Sequence, residues 1–321
     1  MSTHRFLHGL GALLGALLWA ATANASAADA DSDASAEANA SHAWLLKADR
    51  VFDARSEQAH DGWVVLVQGD RIVAVGPAAG MPLPAGTQTI ELPGATLLPG
   101  LIDAHSHVFL HPYNETLWTD QVLKESLATR TIQAVNHARD TLTAGFTALR
   151  DLGTEGAGYA DVDLQRAIDK GVIPGPHLFV ATRATIARHC YGPGPLGFRD
   201  DIDLPQGALP ASGVAQVVDA VCDQAGHGAD WIKFYADYHC GKNKASVPTF
   251  TQEELNAGVE AAHALGLPVS AHATTPEGMR RAILAGVDTI EHGYGGTREV
   301  FALMKQHNVA YLPTLEAENA Y

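Results

Sequence analysis

The chain has 321 residues, 46% hydrophobic and 18% charged, enough for one large core or two modest ones. Its 36 acidic residues against 21 Lys and Arg give a formal charge of −15, which argues against nucleic acid or an anionic membrane as partner. Sixteen histidines raise the expectation of metal or acid–base chemistry.

The N-terminus reads as a secretory signal. Arg5 gives a short basic region, residues 10–21 form an apolar core, and Ala23-Asn24-Ala25 and Ser26-Ala27-Ala28 offer small-x-small cleavage patterns. Residues 1–28 are therefore expected to be a signal peptide, and the product periplasmic or secreted. The apolar run falls short of the roughly 20 residues a bilayer needs, so no stable membrane span is expected. Residues 29–41, rich in Ala, Ser and Asp, read as a disordered leader. Of the three cysteines, Cys190 and Cys240 can pair if their loops meet; Cys222 completes the set, and the spacing alone does not decide the pairing.

Residues 42–96 read as a small β-sandwich part. Residues 63–68 and 71–75 are β-rich runs around Gly69-Asp70, a hairpin pattern. Pro82, Pro84, Gly86 and Pro93-Gly94 punctuate the way out.

From residue 97 to 321 short apolar strands alternate with helices. The strands are expected at 97–104, 146–151, 177–182, 230–235, 268–272, 287–291 and 309–313, and the helices at 126–144, 214–225, 251–265 and 276–285. Thr251 followed by Glu254 forms a capping-box pattern, and Thr275-Pro276 with Gly286 brackets the last helix. Alternating units predict an α/β fold, a (β/α)8 TIM-type barrel, with the eighth strand absent. Two unpaired parallel edges are costly, so the chain is expected to be a C-terminally truncated piece of a longer product.

Active sites of such barrels lie at the C-terminal ends of the strands. If residues 97–107 are a strand, His105 and His107 at i and i+2 share its face. His272 ends the fifth strand and His292 the sixth, while Lys233 is the one basic residue in the apolar fourth. Four imidazoles are apt metal ligands; a protonated lysine is not.

Pro99-Gly100-Leu101-Ile102-Asp103-Ala104-His105-Ser106-His107 with Lys233, His272 and His292 resembles the metal-dependent amidohydrolase superfamily, its imidazolonepropionase-related branch. The resemblance covers residues 44–321. It implies that CO2 carboxylates Lys233 to a carbamate that bridges two metals, with His105 and His107 on one and His272 and His292 on the other. Two zinc ions roughly 3.5–4 Å apart would share a hydroxide and polarise a scissile carbonyl. The family's general-base aspartate on strand 8 has no counterpart here, so the chain is expected to bind metal poorly and turn over slowly or not at all. Asp103 does not match that base.

The stretches 107–115, 149–155 and 231–238 look like the Xaa-Pro dipeptidase and carboxypeptidase-like subgroup, which implies small peptides or N-acyl amino acids as substrates. Tyr235, at i+2 from Lys233, and Arg183 and Tyr191, in the loop after strand 3, are substrate-contact candidates. His189 shares that loop, while His137, His263 and His307 read as ordinary surface residues. A cyclic-amide hydrolase or deaminase of the same superfamily, or a catalytically inactive amidohydrolase-like binding protein, are the alternatives. A homo-oligomer is compatible with all three.

Overall fold

The computed structural model describes residues 42–195, 197–199, 201–240 and 245–315. The expected signal peptide and leader lie outside the described residues. The chain divides into two compact units after Pro99.

In the first unit β1 (Ala43–Val51) pairs antiparallel with β2 (His60–Asp61) and β3 (Trp63–Gln68), and parallel with β5 (Gln88–Leu97); β4 (Arg71–Pro77) pairs with β3. The expected hairpin is β3–β4, closed by Gln68 opposite Arg71, with Gly69 at φ 60° in the two-residue turn. Leu45, Val64 and Leu66 form a small core with Ala74 and Met81. Among the described residues this unit is one five-stranded sheet. β5 pairs with β1 from Trp44 to Val51.

The second unit holds the parallel strands. β6 (Leu101–Ser106), β7 (Phe146–Asp151) and β8 (His177–Val180) form one sheet. A second runs β10 (Leu209–Pro210), β9 (Thr185–Ile186), β11 (Ile232–Tyr235), β14 (Val269–Ala273), β15 (Thr289–His292), β16 (Ala310–Leu312). The backbone N–H groups of Asp230 and Trp231, just before β11, donate to the Val180 carbonyl, so the two sheets meet at β8. β12 (Asp237–His239) and β13 (Ser246–Pro248) form a hairpin beyond β11. Among the described residues no strand closes β16 onto β6.

The first expected strand is shifted. Pro99-Gly100 interrupts the apolar run, so Leu97 ends β5 and β6 begins at Leu101. Helices occupy α1 (Trp118–Lys124), α2 (Leu127–Thr143), α3 (Ala160–Asp169), α4 (Val214–His227), α5 (Gln252–Ala264), α6 (Pro276–Ala285) and α7 (Arg298–His307). Thr251 and Glu254 form the expected capping box of α5, and Thr275 caps α6 ahead of Pro276. α1, α3 and α7 were not expected; each spans ten residues or fewer, too few turns for a clear period. No helix among the described residues is long and apolar enough to cross a membrane.

Strand alternation positions the site. Ile232, Phe234, Val269, Ala271 and Ile290 pack with Val217, Val221, Leu255, Val259, Met279 and Ile283 of the helices. Their strand neighbours Lys233, Ser270, Thr289 and Glu291 are carried to the opposite face, yet are also buried.

Candidate metal centre

The strand ends bring four imidazoles together. Ring centroids lie 5.4 Å apart for His105 and His107, 4.8 Å for His105 and His292, and 4.7 Å for His272 and His292. His292 directly follows inward-facing Glu291, so simple alternation would send it away. Its left-handed backbone, φ 69°, breaks the alternation and returns the ring to the cluster.

Burial keeps three of these rings, His105, His272 and His292, neutral. Burial, joined by the positive charge of Lys233, holds His105 well below the usual histidine range and His292 at about 3. Burial and the neighbouring His292 and Lys233 do the same to His272. Lys233 is itself buried, and desolvation together with Arg150 brings its ammonium down to about 8 against the opposing pull of Glu291.

Three of the rings are tied back through Nδ1, and the fourth, His272, stands near a carboxylate without bonding it. His105 Nδ1 lies 2.7 Å from Glu291 Oε2, and His107 Nδ1 lies 2.9 Å from the Gly153 carbonyl. His292 Nδ1 lies 2.7 Å from Thr314 Oγ1, and His272 Nε2 lies 3.6 Å from Asp237 Oδ1. A carbonyl or a carboxylate accepts, so His105 and His107 each carry a proton on Nδ1, and neutral His105 keeps a lone pair on Nε2. Metal-ligating histidines are held in this way. Among the described residues no three His, Cys, Asp or Glu groups stand ready to hold an ion by themselves. The donor chemistry nevertheless fits a divalent metal: four imidazoles, three of them kept neutral by burial, surround a buried amine whose ammonium is lowered to about 8.

Two residues with no expected role form the floor. Glu291 Oε1 accepts from Arg150 Nη2 at 2.9 Å, Ser270 Oγ at 2.8 Å and Thr289 Oγ1 at 2.6 Å. Burial alone would raise this carboxyl, but His105, Lys233 and Arg150 together outweigh it and hold it at about 2. Arg150 donates Nε to the Ala104 carbonyl at 2.7 Å and sits 4.2 Å over the Trp231 ring. The available signal was parity: Glu291 lies two residues beyond Thr289 on the inward face, and a buried carboxylate needs a partner.

Of the substrate candidates, Tyr191 and Tyr235 meet, their hydroxyls 3.1 Å apart. Both donate to Glu155, at 2.7 and 2.8 Å, and Trp118 Nε1 donates to it at 3.0 Å. Tyr235 and Tyr238 pack on the His272 ring. Glu155 was quoted in the sequence but given no role; its φ of 50° turns it under the tyrosines. Arg183 stands elsewhere, 5.9 Å over the Tyr159 ring. A Cys190–Cys240 disulfide ties the Tyr191 loop to the end of β12. His137 is half-buried and bonds the Val108 carbonyl, so it is not a surface residue, whereas His263 is exposed beside Asp288.

The profile of the Amidohydrolase family matches residues 96–320. The chain belongs to the amidohydrolase family. An uncharacterized protein of Mycobacterium tuberculosis is 32% identical over 235 residues, 72% of this chain and 53% of its own length. Ochratoxinase of Aspergillus niger is 30% identical over 273 residues, 78% and 54%. The amidohydrolase chain thus spans about half the length of the curated relatives it matches. The solved structure of a Xaa-Pro dipeptidase with bound methionine in the active site superposes with a TM-score of 0.74 at 31% identity, covering 86% of this chain and 67% of that one. A prolidase complexed with N-methylphosphonate-L-proline gives 0.73 at 29%, covering 85% and 66%. The fold is therefore that of amidohydrolases, TIM-barrel type with mixed α/β content.

Proposed function

We propose that this amidohydrolase is a metal-dependent hydrolase of amide bonds in small peptides or N-acyl amino acids. The observation that carries the reading is the convergence of four imidazoles at the strand ends, three of them hydrogen-bonded through Nδ1. His105 and His107 would hold one ion and His272 and His292 the other. Zinc pairs supply Lewis-acid polarisation of a carbonyl and acidify water. Lys233, brought to about 8 by burial, presents a minor fraction of neutral amine at pH 7. That lone pair would add to CO2, the N–C bond forming as one C=O π bond opens to oxyanion and the N–H proton leaves to solvent, and the carbamate would offer anionic oxygens to the ions.

Tyr191, Tyr235 and Tyr238 form the wall over His272 against which a substrate would lie. The dipeptidase and prolidase relatives favour a small peptide. Export to the periplasm or beyond is part of the reading, and the Cys190–Cys240 pair supports an oxidising compartment.

The test is hydrolysis of Xaa-Pro dipeptides and N-acyl amino acids by the chain loaded with zinc and bicarbonate. Release of free amino acid that is lost with Lys233→Ala and with chelator is expected. A zinc-loaded chain that hydrolyses cyclic amides or deaminates, but cleaves no member of either class, contradicts the assignment.

A further inference from the structure

Glu291 occupies an unusual position. It immediately precedes His292, yet its carboxylate serves a different histidine, His105, on a strand 186 residues earlier. The two oxygens divide their work. Oε2 takes the His105 Nδ1 proton at 2.7 Å, while Oε1 takes Arg150, Ser270 and Thr289. Arg150 is in turn fixed by the Ala104 carbonyl, one residue before His105, and by the Trp231 ring. Strands β6, β7, β14 and β15 thus converge on one carboxylate.

We propose that Glu291, anchored by Arg150, is the positioning residue that fixes His105 as its Nδ1–H tautomer and leaves Nε2 as the ring's lone pair. This rests on the reading of His105 as a ligand. The argument is one of donors and acceptors. An ionised carboxylate only accepts, so the facing nitrogen must be N–H. A neutral imidazole has one N–H, and Nε2 is then the donor atom for an ion. An amide in place of the carboxylate reverses this. In Glu291→Gln the carbonyl oxygen stays with the three donors on the Oε1 side, because turning it would set the amide N–H2 against the Arg150 guanidinium. The amide N–H2 therefore faces His105, whose Nδ1 must become the acceptor. The proton moves to Nε2, and the lone pair meant for the ion is lost.

The tautomer is read by two-bond 15N–1H correlation on the metal-free chain labelled in histidine, with the His105 signals assigned by their loss in His105→Asn. Wild type is expected to show Nδ1–H and Glu291→Gln to show Nε2–H. Ser270→Ala, which removes a bond to the same carboxylate but not the one to His105, is expected to keep Nδ1–H. Zinc titration against a chelator is expected to show affinity weakened about 10- to 100-fold in Glu291→Gln and near wild type in Ser270→Ala. A ring protonated on Nε2 in wild type, or one unchanged in Glu291→Gln, overturns the proposal. The wild-type spectrum decides alone should Glu291→Gln fail to fold, as judged by its thermal melt. A wild-type chain with the Nδ1–H tautomer but no zinc affinity would contradict the metal reading and leave the tautomer assignment standing.

Discussion

Replacing Arg150 with methionine should destabilise the second unit by about 3–4 kcal/mol. The guanidinium is buried, bonded to Glu291 Oε1 at 2.9 Å and to the Ala104 carbonyl at 2.7 Å. Methionine keeps much of the aliphatic stem, so packing changes little and the loss is polar. Removing one partner of a buried ion pair costs about 3–5 kcal/mol, because an uncompensated charge stays behind. Glu291 retains His105, Ser270 and Thr289, which places it at the low end, near 2–3 kcal/mol. The orphaned Ala104 carbonyl adds about 1 kcal/mol. With an m-value near 2 kcal/mol/M, the urea midpoint should fall by about 1.5–2 M. The double variant Arg150→Met, Glu291→Leu removes both charges and should recover at least half of that loss. A single variant within 1 kcal/mol of wild type, or a double variant no better than the single, would refute the role given to this pair.

Asp161 should make the stability of the fold depend on pH. Burial raises its carboxyl to about 7, only partly offset by the backbone N–H groups of Thr182 and Val162. Between about pH 4 and 7 the native state binds more protons than the unfolded chain, so stability should fall as pH rises through that window. In Asp161→Asn that slope should flatten, whatever the absolute stability; an unchanged slope in urea unfolding at pH 4.5 and 7 would contradict it. The Cys190–Cys240 bridge closes a separation of 50 residues, for which loop entropy gives about 4 kcal/mol. Cys190→Ser with Cys240→Ser should lower the urea midpoint accordingly and abolish its dependence on reductant. Equal midpoints with and without reductant in the wild-type chain would show that the bridge does not hold the folded state.

The ligand candidates were legible because chemistry at strand ends repeats. His105, His107, His272, His292 and Lys233 each stand out in an apolar setting, and parity put His105 and His107 on one face. Parity failed at His292, where a left-handed residue restores the ring to the cluster. Backbone handedness of a non-glycine residue leaves little trace in sequence. The floor was hidden for another reason: Arg150 and Glu291 are 141 residues apart, and each alone reads as a stray charge in a strand. Arg183 follows the third strand as expected, but the chain turns it toward Tyr159 instead of the histidines. In the first unit alternation fixed the hairpin, whereas the parallel docking of β5 on β1 is a long-range choice that no local pattern announces.

Anomalous diffraction at the zinc edge, from crystals of the chain equilibrated with zinc and bicarbonate, tests the central claim most directly. The account predicts zinc density among the His105, His107, His272 and His292 rings, with extra density extending from Lys233 Nζ. Well-ordered strands with no anomalous peak there, or with zinc held only at surface histidines such as His263, would contradict it.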